Sequence, residues 1–397
     1  MQTGVDHMDA VQTGGPLSEK EQKKQEKKKQ KQEKYYMASQ WQLMIRKLVR
    51  HKAAVMSMAI LLFLYLGVLF APFIAPQGLE EFSATYGNAP PSKLHFVHEG
   101  KWVGPFTYAY TIERDVFEKK IFVEDVSEPY RIQFFSKGSP YKLFGFIPWQ
   151  THLFTVDNSQ REAGKDPVVF MIFGADGTGR DLFSRVLIGS QVSLTIPLVG
   201  TALSFILAVI IGGISGYYGG KVDMVIQRLT EVVSAFPTLP LWMALSAAIP
   251  PNIPVTQVYI LITVIMSLLS WPGLSRTVRS KFLSLKKADF VMAARLSGVS
   301  DAKIIARHLL PGFMSYLIVN LTLGIPNMIL GETSMSFLGL GMRAPATSWG
   351  VLLQECQSIG NIANCPWKLI PVIFVGLTVL AFNFLGDGLR DAADPYK

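Results

Sequence analysis

Charge is scarce in this sequence. Asp, Glu, Lys and Arg make up 17% of its 397 residues and apolar residues 49%, whereas soluble domains carry about 25% charge. A soluble globular chain of this length would be hard to keep in solution with so little. Cysteine is scarcer still. Cys356 and Cys365 are the only two, too few for a cysteine metal cluster or a disulfide framework. The pair leaves two alternatives open, separate thiols or one bridge closing a short loop and contributing about 2–3 kcal/mol. The phosphate loop GxxxxGK[ST] is missing too. In "GGKVD" Val222 stands where Ser or Thr is needed, and Ser215 stands where the leading Gly should be. There is no HExxH zinc pair and no GxSxG nucleophile elbow. These absences argue against an ATPase, a metallohydrolase or a serine hydrolase. The chain is expected to be no enzyme and to bind no metal or cofactor itself.

What the sequence has in quantity is long apolar runs. The stretch 53–75, "AAVMSMAILLFLYLGVLFAPFIA", carries no charge and is long enough to cross a bilayer. Further spans are expected near 193–214, 229–249, 255–274, 314–338 and 367–385, the third containing Pro237 and Pro240. Ahead of them, 1–34 reads as a polar tail ending in a Lys/Glu/Gln run, with no apolar periodicity to build a core. Residues 35–52 read as an interfacial helix, with Trp41, Ile45 and Leu48 on one face. No secretory signal is expected, because the start is polar and the first apolar run comes late. Residues 76–173 differ in kind. "KIFVEDV" and "YRIQFFS" alternate like half-buried strands, with Pro and Gly between them.

The net charge of +9 could suggest nucleic acid, but its placement does not. Basic residues gather at 20–34, 46–52, 276–287 and 303–307, all beside apolar spans, and the turn at 250–255 has none. That is the pattern of the positive-inside rule. It predicts an all-α integral membrane protein with six transmembrane helices and both termini cytoplasmic. An extracytoplasmic β-rich insertion, 76–173, separates spans 1 and 2, and a core of spans 2–6 occupies 174–397.

One charged stretch interrupts the core: "DFVMAARLSGVSDAKIIARHLLPG", 289–312. Gly298 suits a left-handed helix C-cap. Ser300 suits the N-cap of a second helix, 301–310, which Asp301 favours in its first turn. Pro311 is expected to close the unit. Ala294, Gly298, Val299 and Ile304 also fit a helix-turn-helix spacing, with Arg295, Lys303 and Arg307 free for phosphate. A DNA reader would need a supporting third helix, and the flanking spans leave no room for one.

The same stretch resembles the "EAA" loop of ABC-importer permeases. Ala293, Ala294, Gly298, Leu310 and Pro311 stand in its register. Met292 stands where the family's Glu heads the motif, and His308 where Ile is usual. His308 before Leu-Leu-Pro is similar to the dipeptide/oligopeptide branch, within the binding-protein-dependent transport inner-membrane components. "GADGTGRDLFSRVLIGSQVSL", with Asp176, Gly179, Arg180 and Asp181, resembles that branch too. So do "GYYGGKVDMVIQRLTEVVSAFPTLPL", "GETSMSFLGLGMRAPATSWG" and "FNFLGDGLRDAADP".

The resemblance implies a coupling helix in the loop 286–311 that docks on an ATPase, with Asp289, Ala293, Ala294, Gly298, Ser300, His308, Leu310 and Pro311 contacting it. It also implies the partners: a second homologous permease, two ATPase subunits that hydrolyse ATP with Mg, and an extracytoplasmic substrate-binding protein. The setting would be membrane lipid of a bacterial or archaeal cytoplasmic membrane, with no nucleic acid. Peptides are the branch's commonest cargo, and nickel and other solutes use close relatives.

Plainer readings stand beside these. His308 can be a helix-end residue satisfied by local carbonyls. Arg180 and Asp181 can cap a span, Gly219, Gly220 and Asp223 can form a tight turn, and Asp387, Arg390 and Asp391 can be a solvated end. Glu332, near the outer end of span 5, should face protein or water. It is a candidate for the pathway or an outer gate, or else a locally hydrogen-bonded structural group. A secondary transporter or channel is the rival function. It would need paired ionisable groups at mid-membrane, and the spans are nearly free of them.

Overall fold

The computed structural model describes residues 40–114, 120–162, 164–342 and 344–394. The polar tail expected over 1–34 lies outside them.

The chain enters through α1 (Gln40–Arg50), α2 (Lys52–Leu69) and a last turn, α3 (Ala71–Ile74). Six strands follow: β1 (His95–His98), β2 (Lys101–Arg114), β3 (Lys120–Phe134), β4 (Lys137–Leu143), β5 (Ile147–Thr151) and β6 (Phe154–Val156). Then come α4 (Leu182–Tyr218), α5 (Gly220–Ala235), α6 (Thr238–Ala247), α7 (Val255–Leu285), α8 (Asp289–Leu296) and α9 (Asp301–Ile304). The chain ends in α10 (Met314–Phe337), α11 (Trp349–Leu353), α12 (Ile359–Asn364) and α13 (Ile370–Ala393).

The strands make an antiparallel sheet of order β1-β2-β3-β6 and a separate hairpin, β4-β5. "KIFVEDV" and the first five residues of "YRIQFFS" are parts of one long strand, β3, which pairs with β2 across a bulge at Tyr108/Ala109. The sheet is tied to the helices at the end of α3. His152, buried, meets the carbonyl of Ala75 at 2.5 Å through Nδ1, and Leu153 N donates to the carbonyl of Phe73 at 2.7 Å.

Among the described residues, five helical runs are long and apolar enough to cross a membrane: α2, α4, α7, Asp301–Phe337 and Pro366–Ala393. The span expected over 229–249 is divided into α5 and α6. Phe236 is extended (ψ 136°) because the residue before a proline is driven out of the helical region. At 10 residues, α6 is about 15 Å long, half of a hydrocarbon core of about 30 Å. By the same measure α4, with 37 residues, is about 55 Å long and must project beyond the lipid.

Small residues let α4 and α7 lie against each other. A Cβ on Gly212 would sit 2.4 Å from the Ser275 carbonyl oxygen, and one on Gly216 would sit 2.6 Å from Phe282 Cβ. In lipid, where burial gives no driving force between helices, such close backbone approach supplies the packing. Three apolar clusters fill the bundle. Trp349, Leu182, Val186 and Ile329 hold the end nearest the sheet. Ile196, Trp242, Ile262 and Met266 hold the middle. Val278, Phe282, Val291, Ile304 and Leu309 hold the far end.

The apolar stripe expected on α1 divides. Leu48 joins Met44 against Ala54 and Ala392, while Trp41 and Ile45 are exposed. The bundle takes only one edge of the stripe. Lys47 Nζ donates to the Asp394 carbonyl at 2.8 Å, so both described chain ends meet at the end of the bundle away from the sheet. No bridge joins Cys356 and Cys365; the Cys356 thiol donates to the Lys368 carbonyl at 3.4 Å.

Candidate functional site

The charged loop leaves the bundle at the end of α7. Lys286 caps that helix and its Nζ donates to the Gly216 carbonyl at 3.1 Å, binding the ends of α4 and α7 together. Asp289 opens α8, exposed in the first turn, and Ala293 is exposed further along. The helix ends in a Schellman motif. Gly298 has φ +74°, its N–H donates to the Arg295 carbonyl, and the Val299 N–H donates to the Ala294 carbonyl, each at 3.1 Å. A residue with a Cβ is disfavoured there by the backbone alone, since nothing lies within 4 Å of the Cβ position.

Ser300 sits at the N-cap of α9 in extended backbone (ψ 148°), but its exposed hydroxyl makes no capping bond. Pro311 does not close the second helix as expected. The path widens to a π turn over Ile305–Leu309, tightens to a 3-10 turn over Leu310–Phe313 and continues into α10. A proline has no N–H to donate, and its ring collides with the carbonyl four residues back. Wider and narrower turns around it absorb both problems without a break. His308 is half-buried in the π turn, Leu310 packs partly buried against the far-end cluster, and Pro311 is exposed.

Tyr217, at the end of α4, was not singled out from the sequence, yet it locks the loop's shape. Its hydroxyl donates to Asp301 Oδ1 at 2.5 Å and accepts from Arg295 Nη2 at 3.2 Å, and the Arg295 guanidinium lies 5.5 Å from its ring centroid. One side chain thereby joins α4 to both helices of the loop. The hydrogen bond to Tyr217 holds the Arg295 pKa above its ordinary value. The signal for it was the aromatic pair in "GYYGG" at the end of a span. Beside it, Arg279 makes a bidentate pair with Asp223 (2.5 and 2.6 Å), which fixes the start of α5 against α7.

Val291, Ile304 and Leu309 face inward with no exposure, while Phe290, Met292 and Leu296 face outward, Leu296 at 87% exposed. The outer side of α8 thus carries an open apolar strip, while its inner side is anchored on the bundle.

The remaining motif residues lie elsewhere. Asp176 is buried. Its Oδ1 accepts from Thr178 N, Thr178 Oγ1 and Arg180 N, and its Oδ2 pairs with Arg185. Gly179 is in left-handed backbone (φ +82°), and a Cβ there would collide with the Ser83 carbonyl. Asp181 caps α4 from its N-terminus, accepting from Ser184 N at 2.8 Å. Buried Lys368 closes this end by reaching Glu355 at 2.7 Å and Asn88 at 2.6 Å. The motif thus fastens the root of the sheet to the helix ends. Glu332 is 1% exposed. Ser336 Oγ donates to its Oε1 at 2.7 Å, and the Ser193 and Ser348 hydroxyls lie against the same carboxylate. At the far end, Asp387 and Arg390 are exposed, and His51 Nε2 stands 3.9 Å from Asp391.

Comparison with known proteins gives two family matches. Residues 204–396 match the binding-protein-dependent transport system inner membrane component, and 39–91 match the N-terminal TM domain of oligopeptide transport permease C. The strands lie between the two matched stretches. The oligopeptide transport system permease protein OppC of Haemophilus influenzae is 41% identical over 227 residues, 57% of this chain and 70% of that protein. OppC of Escherichia coli K12 is 40% identical over 56% of this chain and 72% of its own length. The dipeptide transport system permease protein DppC of Bacillus subtilis is 36% identical over 60% and 73%. An inward-facing MetNI methionine ABC transporter structure overlaps 51% of this chain and 94% of its own at 18% identity, with a TM-score of 0.39. With the membrane-spanning helices in place and these relatives matched over more than two thirds of their length, the chain belongs to the family of binding-protein-dependent transport system inner membrane components.

Proposed function

We propose that the chain is one of two related permease subunits of an ATP-driven importer of di- and oligopeptides, and that the loop 286–311 couples it to the ATPases. The relatives are named as oligopeptide and dipeptide permeases, which supports the cargo class. The observation that carries the coupling role is the loop's construction. A short helix is keyed by Tyr217 to the end of a span too long for the lipid, with Phe290, Met292 and Leu296 turned outward. Two ATPase subunits would bind and hydrolyse ATP with Mg, and this chain would supply neither catalysis nor a cofactor site. Their closure would push α8, and the Tyr217 lock would pass the movement to α4, α7 and α10 together. An extracytoplasmic binding protein would deliver the cargo.

The same arrangement supports an orientation. The loop, α1 and the end of α13 share one end of the bundle, and the basic clusters 46–52, 276–287 and 303–307 support a cytoplasmic position for that end. The sheet is then an extracytoplasmic cap. With α4 and α7 both finishing at the cytoplasmic end, α5 and α6 together would return the chain across the membrane as a sixth crossing.

Leu296→Arg tests the docking surface without touching the bundle. Burying a leucine in an interface is worth about 1.5–3 kcal/mol, so the variant should insert normally, lose its ATPase from the mildly solubilised complex and take up peptide at least about tenfold more slowly. Wild-type co-purification and uptake would show that α8 is not the docking element.

A further inference from the structure

The β4–β5 hairpin belongs neither to the four-stranded sheet nor to the helix bundle. Its base stands at the end of α3, where His152, already against the Ala75 carbonyl, meets the Ser139 carbonyl at 2.9 Å through Nε2. Its tip folds back along the span. Phe144, in the turn, packs edge-on against Phe70 with ring centroids 5.8 Å apart, and Phe135, just before β4, lies 6.2 Å from Phe73. Phe70 precedes Ala75 by five residues, so the tip lies about 7 Å nearer the middle of the span than the base does.

The tip is apolar and open. Phe146 is 73% exposed, Phe135 67% and Phe144 41%. Phe144 and Phe135 also take left-handed backbone, with φ +55° and +52°, which bulky side chains rarely adopt. Turn chemistry favours Gly, Asn or Asp at such positions, so neither phenylalanine is explained by the turn it sits in. An exposed cluster of this kind marks a contact with something outside the chain.

Continuity identifies that contact. Phe70 ends the exposed apolar face of α2 that carries Leu62, Phe63 and Leu66, a face that a membrane-spanning helix turns to lipid. It also lines a groove of about 410 Å³ shared with Phe63, Gly67, Ile74 and Leu187, almost wholly apolar. The charge of the hairpin fits the same surroundings. Lys137 and Lys142 are exposed, and no Asp or Glu occurs between 135 and 151, a balance that anionic headgroups attract. Tyr141 and Trp149 pair across the hairpin farther from its tip, at the level where amphipathic rings meet headgroups and water.

We propose that the β4–β5 hairpin is a membrane anchor for the sheet. Phe135, Phe144 and Phe146 enter the leaflet on the sheet's side, beside α2, and the two lysines meet its phosphates. The anchor requires only the membrane-spanning helices and stands apart from the importer reading.

The test is the depth of the hairpin tip in the complete transporter, with its partner chains, in vesicles of phosphatidylethanolamine and phosphatidylglycerol. A nitroxide on Phe146→Cys is exposed to oxygen, which concentrates in lipid, and to a nickel chelate, which stays in water. Spin-labelled lipids calibrate the depth, and Phe144→Cys is a second site should the first variant not assemble. The label should lie about 5–10 Å below the phosphates, the depth of an interfacial apolar face. A label that the nickel chelate reaches as freely as it reaches a headgroup nitroxide would overturn the anchor. So would a label shielded from oxygen and nickel alike, which would put a protein partner over the hairpin instead.

Discussion

At the residue scale, the informative side chains are those whose partners lie far along the chain. Tyr217 and Asp301 are 84 positions apart and share a 2.5 Å hydrogen bond. Tyr217→Phe keeps the ring and removes both polar contacts. Each hydrogen bond contributes about 0.5–1.5 kcal/mol, so local opening of the loop should become about tenfold more frequent. Trypsin cleavage after Arg295 in inverted vesicles measures this directly, and an unchanged cleavage rate would mean that α8 is held without Tyr217. Gly298 was legible as a turn residue because only glycine readily adopts its φ. Tyr217 was not, because nothing local to it requires a tyrosine. The carboxylate of Glu332 was legible as an oddity in a span, but its serine neighbours come from separate segments, so its surroundings were not.

At the element scale, apolar run length located the long helices and local chemistry located the turns. The division of α5 from α6 was the main departure. An apolar window counts Pro237 as one residue, whereas the backbone treats it as an instruction to the residue before it. The π turn before Pro311 is the opposite case, in which tertiary packing of Ile304 and Leu309 carries a helix through a proline that reads as a stop. Helix contact itself depends on glycines that look alike in sequence. Gly216→Ala places a Cβ 2.6 Å from Phe282 Cβ and 2.7 Å from the Arg279 carbonyl, whereas a Cβ at Gly376 meets nothing within 4 Å. Overpacking of that kind costs about 1–3 kcal/mol. Gly216→Ala should therefore lower the membrane abundance several-fold and advance heat-induced aggregation, with Gly376→Ala unchanged by both measures. Equal behaviour of the two would show that α4 and α7 do not depend on this contact.

At the scale of the whole molecule, the sheet and the charged loop lie at opposite ends of the helices, and the proposed orientation can be tested with two single cysteines. Leu296→Cys, on α8, should react with a membrane-impermeant thiol reagent only in inverted vesicles. Trp149→Cys, exposed on β5, should react only in right-side-out preparations. The native Cys356 and Cys365 are buried, which keeps the background low. Labelling of both sites from the same face would refute the arrangement.

By itself the sequence determined that this protein lives in a membrane, where its long helices run, and which stretch between them must stay out of the lipid. Those properties follow from hydrophobicity and from backbone limits on Gly and Pro, and both act within a few residues. Only the tertiary structure decided which glycines touch a neighbour, which face of α1 is covered, and that Tyr217 meets both helices of the charged loop. Each of these depends on two or more helices meeting in space, and the identity of a residue carries no record of who will stand opposite it.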